Sequence, residues 1–295
     1  MTEDVTVVVA TRNRRARLLE TLARHEAPVI VVDNGSDDGT PEAVSNAFPG
    51  VRVVRLGRNA GAGAARNVGV ELAGTPFVAF ADDDSYWAPG ALAEAVRVLR
   101  AHPGTGLIAG QVRVGREGRL DPVSAEMARS PLGTRPGAPG PSVLGFPACA
   151  VVLRRAAVRQ VGGFTERLGT YGEEALLAMD LAAAGWQLAY VEDVVAHHLP
   201  LPAGRNRDER HRIEARNRVL TAALRRPTGV VLRAAADALR NPAGRRGLLD
   251  AGRALGWVVR HRRRLPDEVE AALRLLERDV AAEPAPVAAA VSAGN

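Results

Sequence analysis

Lysine is absent from this 295-residue chain, and all 39 basic residues are arginine. Alongside the abundance of Ala, Gly, Pro and Val, this reads as coding bias in a GC-rich genome, and no arginine-specific chemistry follows from it. Cysteine occurs once, at Cys149. That excludes an intrachain disulfide and a cysteine-built zinc site, and it points to a reducing compartment. No apolar run approaches the ~18 residues that a membrane span requires. The opening Met-Thr-Glu-Asp carries neither a basic segment nor a signal-like apolar stretch. Together these absences predict a cytoplasmic protein. The rest of the composition is ordinary for a folded domain, at 46% hydrophobic and 24% charged. The net charge of +6 is unevenly placed: between about 204 and 264, arginines outnumber acids roughly threefold.

Strand and helix patterns alternate along the first 110 residues. Continuous apolar runs at 5–10, 28–32 and 77–81, with Val51 to Leu56 as a further strand, have the character of buried parallel strands. Helical spacing at Leu18, Leu19 and Leu22, a start at Thr40-Pro41-Glu42, and a helix over 64–72 fill the gaps. This alternation predicts a mostly parallel α/β sheet with helices on both faces. Further on, a strand is expected over 148–153, a helix over 154–161, a helix opening at Glu173-Glu174 and ending at Gly185, and a strand over 187–191 leading to His197-His198. Residues 115–144 are rich in Gly and Pro and read as a long mobile loop. Beyond Pro202 only helical patterns remain, and 282–295 reads as a disordered tail.

Polar residues gather at the predicted strand ends: Thr11-Arg12-Asn13, Asp33-Asn34 and Asp82-Asp83-Asp84. In open α/β sheets this edge is where ligands bind. Three adjacent carboxylates repel one another unless a cation lies among them. On a strand, Asp82 and Asp84 would point one way and Asp83 the other, giving two hard oxygen ligands suited to Mg²⁺ or Mn²⁺ that also holds a diphosphate. The competing reading is a solvated acidic turn.

Five segments in order resemble family 2 glycosyltransferases of the GT-A fold. They are Val31 to Thr40 (VVDNGSDDGT), Arg58-Asn59-Ala60-Gly61 with Ala64-Ala65-Arg66-Asn67, Phe80 to Asp84 as a DXD element, Gly162 to Glu166 followed by Gly172-Glu173-Glu174 and Ala184-Gly185-Trp186, and Val194 to His197. Each is weak alone; the series, spanning about 5–200, disfavours the acidic turn.

The resemblance implies metal-dependent transfer of a sugar from a UDP-, dTDP- or GDP-linked donor to an acceptor hydroxyl, with inversion at the anomeric carbon. It makes Asp84 a direct Mn²⁺ or Mg²⁺ ligand. Asp82 and Asp83 share the metal shell and the ribose hydroxyls, and His197 is a further metal ligand, with His198 as the competing choice. Asp33 and Asn34 would contact base or ribose, Thr11, Arg12 and Asn13 would flank the base, and Arg66 would reach the donor phosphates. Glu174 would be the general base, with Glu173 orienting the site or binding the acceptor. The family usually has Asp at the position of Glu174, and Leu176 and Asp180 stand where an acid and an arginine often follow. A sugar-1-phosphate nucleotidyltransferase and a catalytically impaired sugar-nucleotide-binding homologue remain as alternatives.

This divides the chain into a catalytic domain over 1–202, a basic helical region over 203–281 and the tail. The basic region reads first as a solvated face and second as a peripheral contact with anionic membrane on the inner face. Without aromatic interleaving it does not read as a nucleic-acid site.

Overall fold

The computed structural model describes residues 3–200 and 207–282. Residues 201–206 lie outside the described residues, and so does the tail expected over 282–295 except for Ala282, which ends the last helix.

The first half forms the expected alternation: β1 (Val5–Thr11), α1 (Arg15–Leu22), β2 (Val29–Asp33), α2 (Thr40–Ala47), β3 (Arg52–Arg55), α3 (Ala62–Leu72) and β4 (Phe77–Asp82). Strands β3-β2-β1-β4 lie side by side and parallel. The apolar runs of β1, β2 and β4 are continuous because helices cover both faces, whereas β3 (RVVR), at the sheet edge, has no buried residue. Val5, Val7 and Val9 pack with Leu18, Val44 and Leu99 on one face. Val8 points the other way and packs with Ala65 and Val70 of α3, as the period of two along a strand requires.

The sheet then becomes mixed. Following β4 come β5 (Ser85–Trp87), α4 (Ala91–Ala101), β6 (Thr105–Val114), β7 (Arg119–Leu120), α5 (Pro122–Ala128), β8 (Val151–Arg154), α6 (Arg155–Val161), α7 (Glu173–Ala183) and β9 (Gln187–His198). The order continues β4-β8-β6-β9-β5, with β8 antiparallel to both neighbours, β9 parallel to β6, and β5 antiparallel to β9.

Three local expectations are corrected. The stretch 115–144 contains β7 and α5. Asp121 caps α5 through the Val123 N–H, the Ser124 hydroxyl accepts from Val112 N–H, and Ser130 donates to the Ser142 carbonyl. Its Gly and Pro residues shape turns within an ordered excursion. The strand expected from Ala148 begins at Val151, after a short 3-10 turn. The two segments around 187–191 and 194–198 form one twelve-residue strand with an irregularity opposite Gly110/Gln111.

Five helices follow: α8 (Arg207–Arg225), α9 (Thr228–Ala238), α10 (Pro242–Gly252), α11 (Leu255–His261) and α12 (Asp267–Ala282). Helices α8 to α11 share a core with Leu168 and Leu176, against which Val219, Leu220 and Leu224 pack, while Val269 and Leu273 of α12 pack against Met179 of α7. A bidentate ion pair joins Arg225 of α8 to Asp180 of α7, at 2.5 and 2.9 Å. Asp180 thus anchors the helical region.

Candidate active site

The carboxyl ends of β1, β2 and β4 meet at one edge. β4 ends at Asp82, so strand alternation stops there; Asp83 and Asp84 form the turn into β5. The expectation that Asp82 and Asp84 share a face is therefore corrected, because the three carboxylates meet three different partners. Asp82 accepts from Arg66 Nη2 at 3.0 Å, Asp83 accepts from the Thr11 hydroxyl at 3.2 Å, and Asp84 lies 3.3 Å from His198 Nε2. Burial, then the charges of Asp84 and Asp82, push the Asp83 carboxyl up to about 7, against the pull of Arg14 and Thr11. Protein groups alone leave this corner with surplus negative charge.

The histidine assignment changes. β5 pairs antiparallel with β9, Ser85 opposite His198 and Tyr86 opposite His197, and the Leu199 N–H donates to the Asp84 carbonyl at 2.7 Å. Neighbouring residues on a strand face opposite ways. His198 therefore meets Asp84, while His197 stacks on Tyr86 with ring centroids 5.0 Å apart. The hydrogen bond to Asp84 holds the His198 ring above its usual pKa; burial, then Arg24 and Arg113, push His197 below it.

Arg66 does not face open space where phosphates would lie. It is 5% exposed. Nη2 holds Asp82, Nη1 holds Glu173 at 2.9 Å, and Glu174 stands 3.6 Å from Nη1. Phe80 and Phe164 flank the guanidinium at 5.9 and 5.6 Å. The side chain is a hinge pin between the end of β4 and the start of α7. Burial, then Glu174, raise the Glu173 carboxyl pKa, with Arg66 pulling the other way. Glu174 keeps 22% of its side chain exposed, while Glu173 keeps 1%.

At the end of β2, Asp33 is buried. Its Oδ2 accepts from the Ser36 N–H at 3.1 Å, and its Oδ1 has no partner among the described residues. Asn34 is spent on architecture: its Oδ1 accepts from the Ala60 N–H at 2.7 Å and so ties down the loop before α3. Asn13, in the left-handed region at φ 55°, exchanges hydrogen bonds with Ser36 and Asp37, and Arg12 donates to the Gly35 carbonyl. The β1 and β2 loops thus brace each other around Asp33.

The loop before α7 has supports that the motifs do not show. Asn217 of α8, 1% exposed, donates from Nδ2 to the carbonyls of Leu168, Thr170 and Tyr171 at 2.9, 3.1 and 2.8 Å. Arg216 donates to the Leu168 carbonyl at 2.6 Å and to Asn217 Oδ1 at 2.9 Å. Gly61 (φ 91°) lies so close to Gly169 that a Cβ there would fall 2.6 Å from the Gly169 Cα.

Residues 6–162 match the family model described as glycosyl transferase family 2. The chain belongs to that family. Among the relatives of this family 2 glycosyltransferase is the N-acetylglucosaminyl-diphospho-decaprenol L-rhamnosyltransferase of Mycobacterium tuberculosis, 29% identical over 245 residues, which are 70% of this chain and 80% of the relative. The pre-mycofactocin glycosyltransferase of the same organism is 33% identical over 204 residues, 66% of this chain and 42% of the relative. Two solved GT-A-like structures share its fold. The mannosyltransferase PcManGT from Pyrobaculum calidifontis, in complex with GDP-Man and Mn²⁺, has a TM-score of 0.58 at 23% identity over 96% of this chain and 76% of that one. S. aureus TarS 1-349 in complex with UDP-GlcNAc gives 0.59 at 20% identity over 94% and 87%.

Proposed function

We propose that this family 2 glycosyltransferase works with inversion and with a divalent cation, moving a sugar from a nucleoside diphosphate sugar to an acceptor hydroxyl. The observation that carries the reading is the Arg66 pin, which sets the Asp82–Asp84 corner beside the Glu173-Glu174 pair. A site for a departing diphosphate and a site for a base are thereby held on two sides of one space.

Asp33 receives the nucleoside, its free Oδ1 accepting from a base N–H or a ribose hydroxyl. Thr11, Arg12 and Asn13 form the rim of that pocket, and Asn34 keeps its floor in place. Asp84 and His198 are the groups that would hold Mn²⁺ or Mg²⁺. Among the described residues no three His, Cys, Asp or Glu side chains already converge as a metal cage. One or two carboxylates completed by substrate phosphates is how such ions are commonly bound beside nucleotides. The surplus charge around Asp83 also suits a cation there. When bound, the ion neutralises charge on the leaving diphosphate. Glu174, the less buried of the pair, takes the proton from the attacking hydroxyl on the face opposite the leaving group. Glu173, buried on Arg66, positions it. Residues up to 202 carry this chemistry, and the later helices support it.

The decisive experiment is nucleoside diphosphate release from UDP-, dTDP- and GDP-sugars with and without Mn²⁺. Asp84→Ala and His198→Ala should lose metal-dependent donor binding, while His197→Ala keeps it. Glu174→Gln should bind donor but lose at least 100-fold in turnover, the scale expected of a missing general base. Normal turnover by Glu174→Gln removes the base assignment, and donor binding without turnover in the wild type leaves an impaired homologue.

A further inference from the structure

A cavity of about 880 Å³ lies among α7, α8, α9 and α12. Its rim includes Tyr171, Gly172 and Ala175, which bracket the Glu173-Glu174 pair along the chain. Tyr171 sits at φ 70°, a conformation that a bulky residue adopts only when its surroundings impose it. Here the constraints are visible, as Asn217 grips its carbonyl and the Arg210 guanidinium stacks on its ring at 5.2 Å.

The lining has two characters. Ala175, Met179, Val230, Leu273 and Leu276 supply an apolar wall. The charged lining is not balanced in its pairing. Glu214 is held by Arg210 at 2.7 Å, Asp237 by Arg240 at 2.9 Å, and Glu277 by Arg226 at 2.8 Å. Arg218 and Arg233, also on the lining, make no hydrogen bond or ion pair among the described residues. Two guanidiniums are therefore left without acidic partners among the described residues, beside an apolar wall. A second, independent mark of a missing ligand is Thr221. It lines the same cavity, is 6% exposed, and its buried hydroxyl has no partner among the described residues. Such orphaned polar atoms are uncommon in folded interiors and call for an explanation.

We propose that this cavity is the acceptor site, and that the acceptor is an amphiphile carrying a diphosphate on a hydrocarbon chain. The hydrocarbon lies along the wall of α9 and α12, Arg218 and Arg233 take the diphosphate by charge-assisted hydrogen bonds, and Thr221 donates to it from below. The end bearing the acceptor hydroxyl emerges past Tyr171 toward Glu174. The assignment of a hydroxyl to be glycosylated rests on the transferase reading above; the pocket and its ligand class do not.

Isothermal titration of the full chain with farnesyl diphosphate, inorganic pyrophosphate and farnesol tests it. Farnesyl diphosphate should bind at least tenfold tighter than either fragment. Arg218→Ala combined with Arg233→Ala, two surface changes, should weaken it at least tenfold. Thr221→Val should weaken it severalfold, and Asp84→Asn should leave it unchanged. A nucleotide-sugar thermal-shift series on the arginine double variant should match the wild type, which separates failure here from failure of the donor site. If farnesyl diphosphate does not bind, or its affinity survives loss of both arginines, the proposal is overturned. The same holds if Asp84→Asn abolishes binding, for the diphosphate would then sit at the donor corner.

Discussion

At the scale of single residues, the centre of this protein is one guanidinium. Arg66 is enclosed with Glu173 and flanked by two phenyl rings, so its removal strands the Glu173 carboxylate out of water, while Asp82, 37% exposed, can turn to solvent. Losing one partner of a buried ion pair costs about 3–5 kcal/mol. Arg66→Met should lower unfolding stability in urea by about that much; a loss below about 1 kcal/mol would show that the carboxylates find other partners. His25 gives a prediction in pH. Both its ring nitrogens are out of water and unpartnered among the described residues, and burial lowers its pKa from 6.5 to about 4. The unfolded chain takes up the proton as pH falls through about 6.5, while the folded chain resists until about 4. The stability contributed by neutral His25 is thus complete above pH 6.5 and is lost between 6.5 and 4, by up to about 3 kcal/mol at ~1.4 kcal/mol per pKa unit. His25→Phe should flatten that limb of a plot of Tm against pH; an unchanged slope would rule His25 out as its source.

At the scale of elements, β1, β2, β4 and α1 to α3 are legible in the sequence because each is buried on both faces or on one clear stripe, and edge strand β3 by its place in the alternation. Two other elements come without an expectation from the motifs, α4 and β6, although Leu92, Val96 and Leu99 do carry helical spacing. The ordering of 115–144 was hidden because Gly and Pro mark turns without saying whether the turns are tied down. The clamp of α8 on the loop before α7 was hidden for another reason. Asn217 looks like any helical asparagine until folding brings three carbonyls to its amide. Asn217→Ala leaves buried carbonyls without donors, at about 1–3 kcal/mol. It should lower Tm and, by loosening Glu174, lower kcat more than it raises KM. Equal turnover in that variant would make the clamp purely structural.

Across the whole molecule, the helical region combines arginine excess with exposed apolar side chains: Leu232 on α9 and Leu239 at its C-terminal cap, Leu249 on α10, and Leu255 and Val259 on α11. No described helix is long and apolar enough to cross a membrane. Apolar pairs seven residues apart (Leu232 and Leu239) and four apart (Leu255 and Val259), beside arginines, are what an interfacial contact with anionic lipid uses. Vesicles containing phosphatidylserine should float with the protein at low salt and release it at high salt. Failure to float at low salt would return this surface to the role of a solvated face.

The sequence by itself determined the family, the strand ends that carry polar groups, and the pair of acids at Glu173-Glu174. Those depend on local pattern and on order along the chain. Tertiary structure alone decided that His198 rather than His197 meets Asp84, that Arg66 is consumed by carboxylates, and that a cavity whose Arg218 and Arg233 have no acidic partner among the described residues opens beside α7. Strand register chooses which of two neighbours faces a site, and burial chooses whether a charge meets solvent or another charge. Neither is written in the spacing of residues.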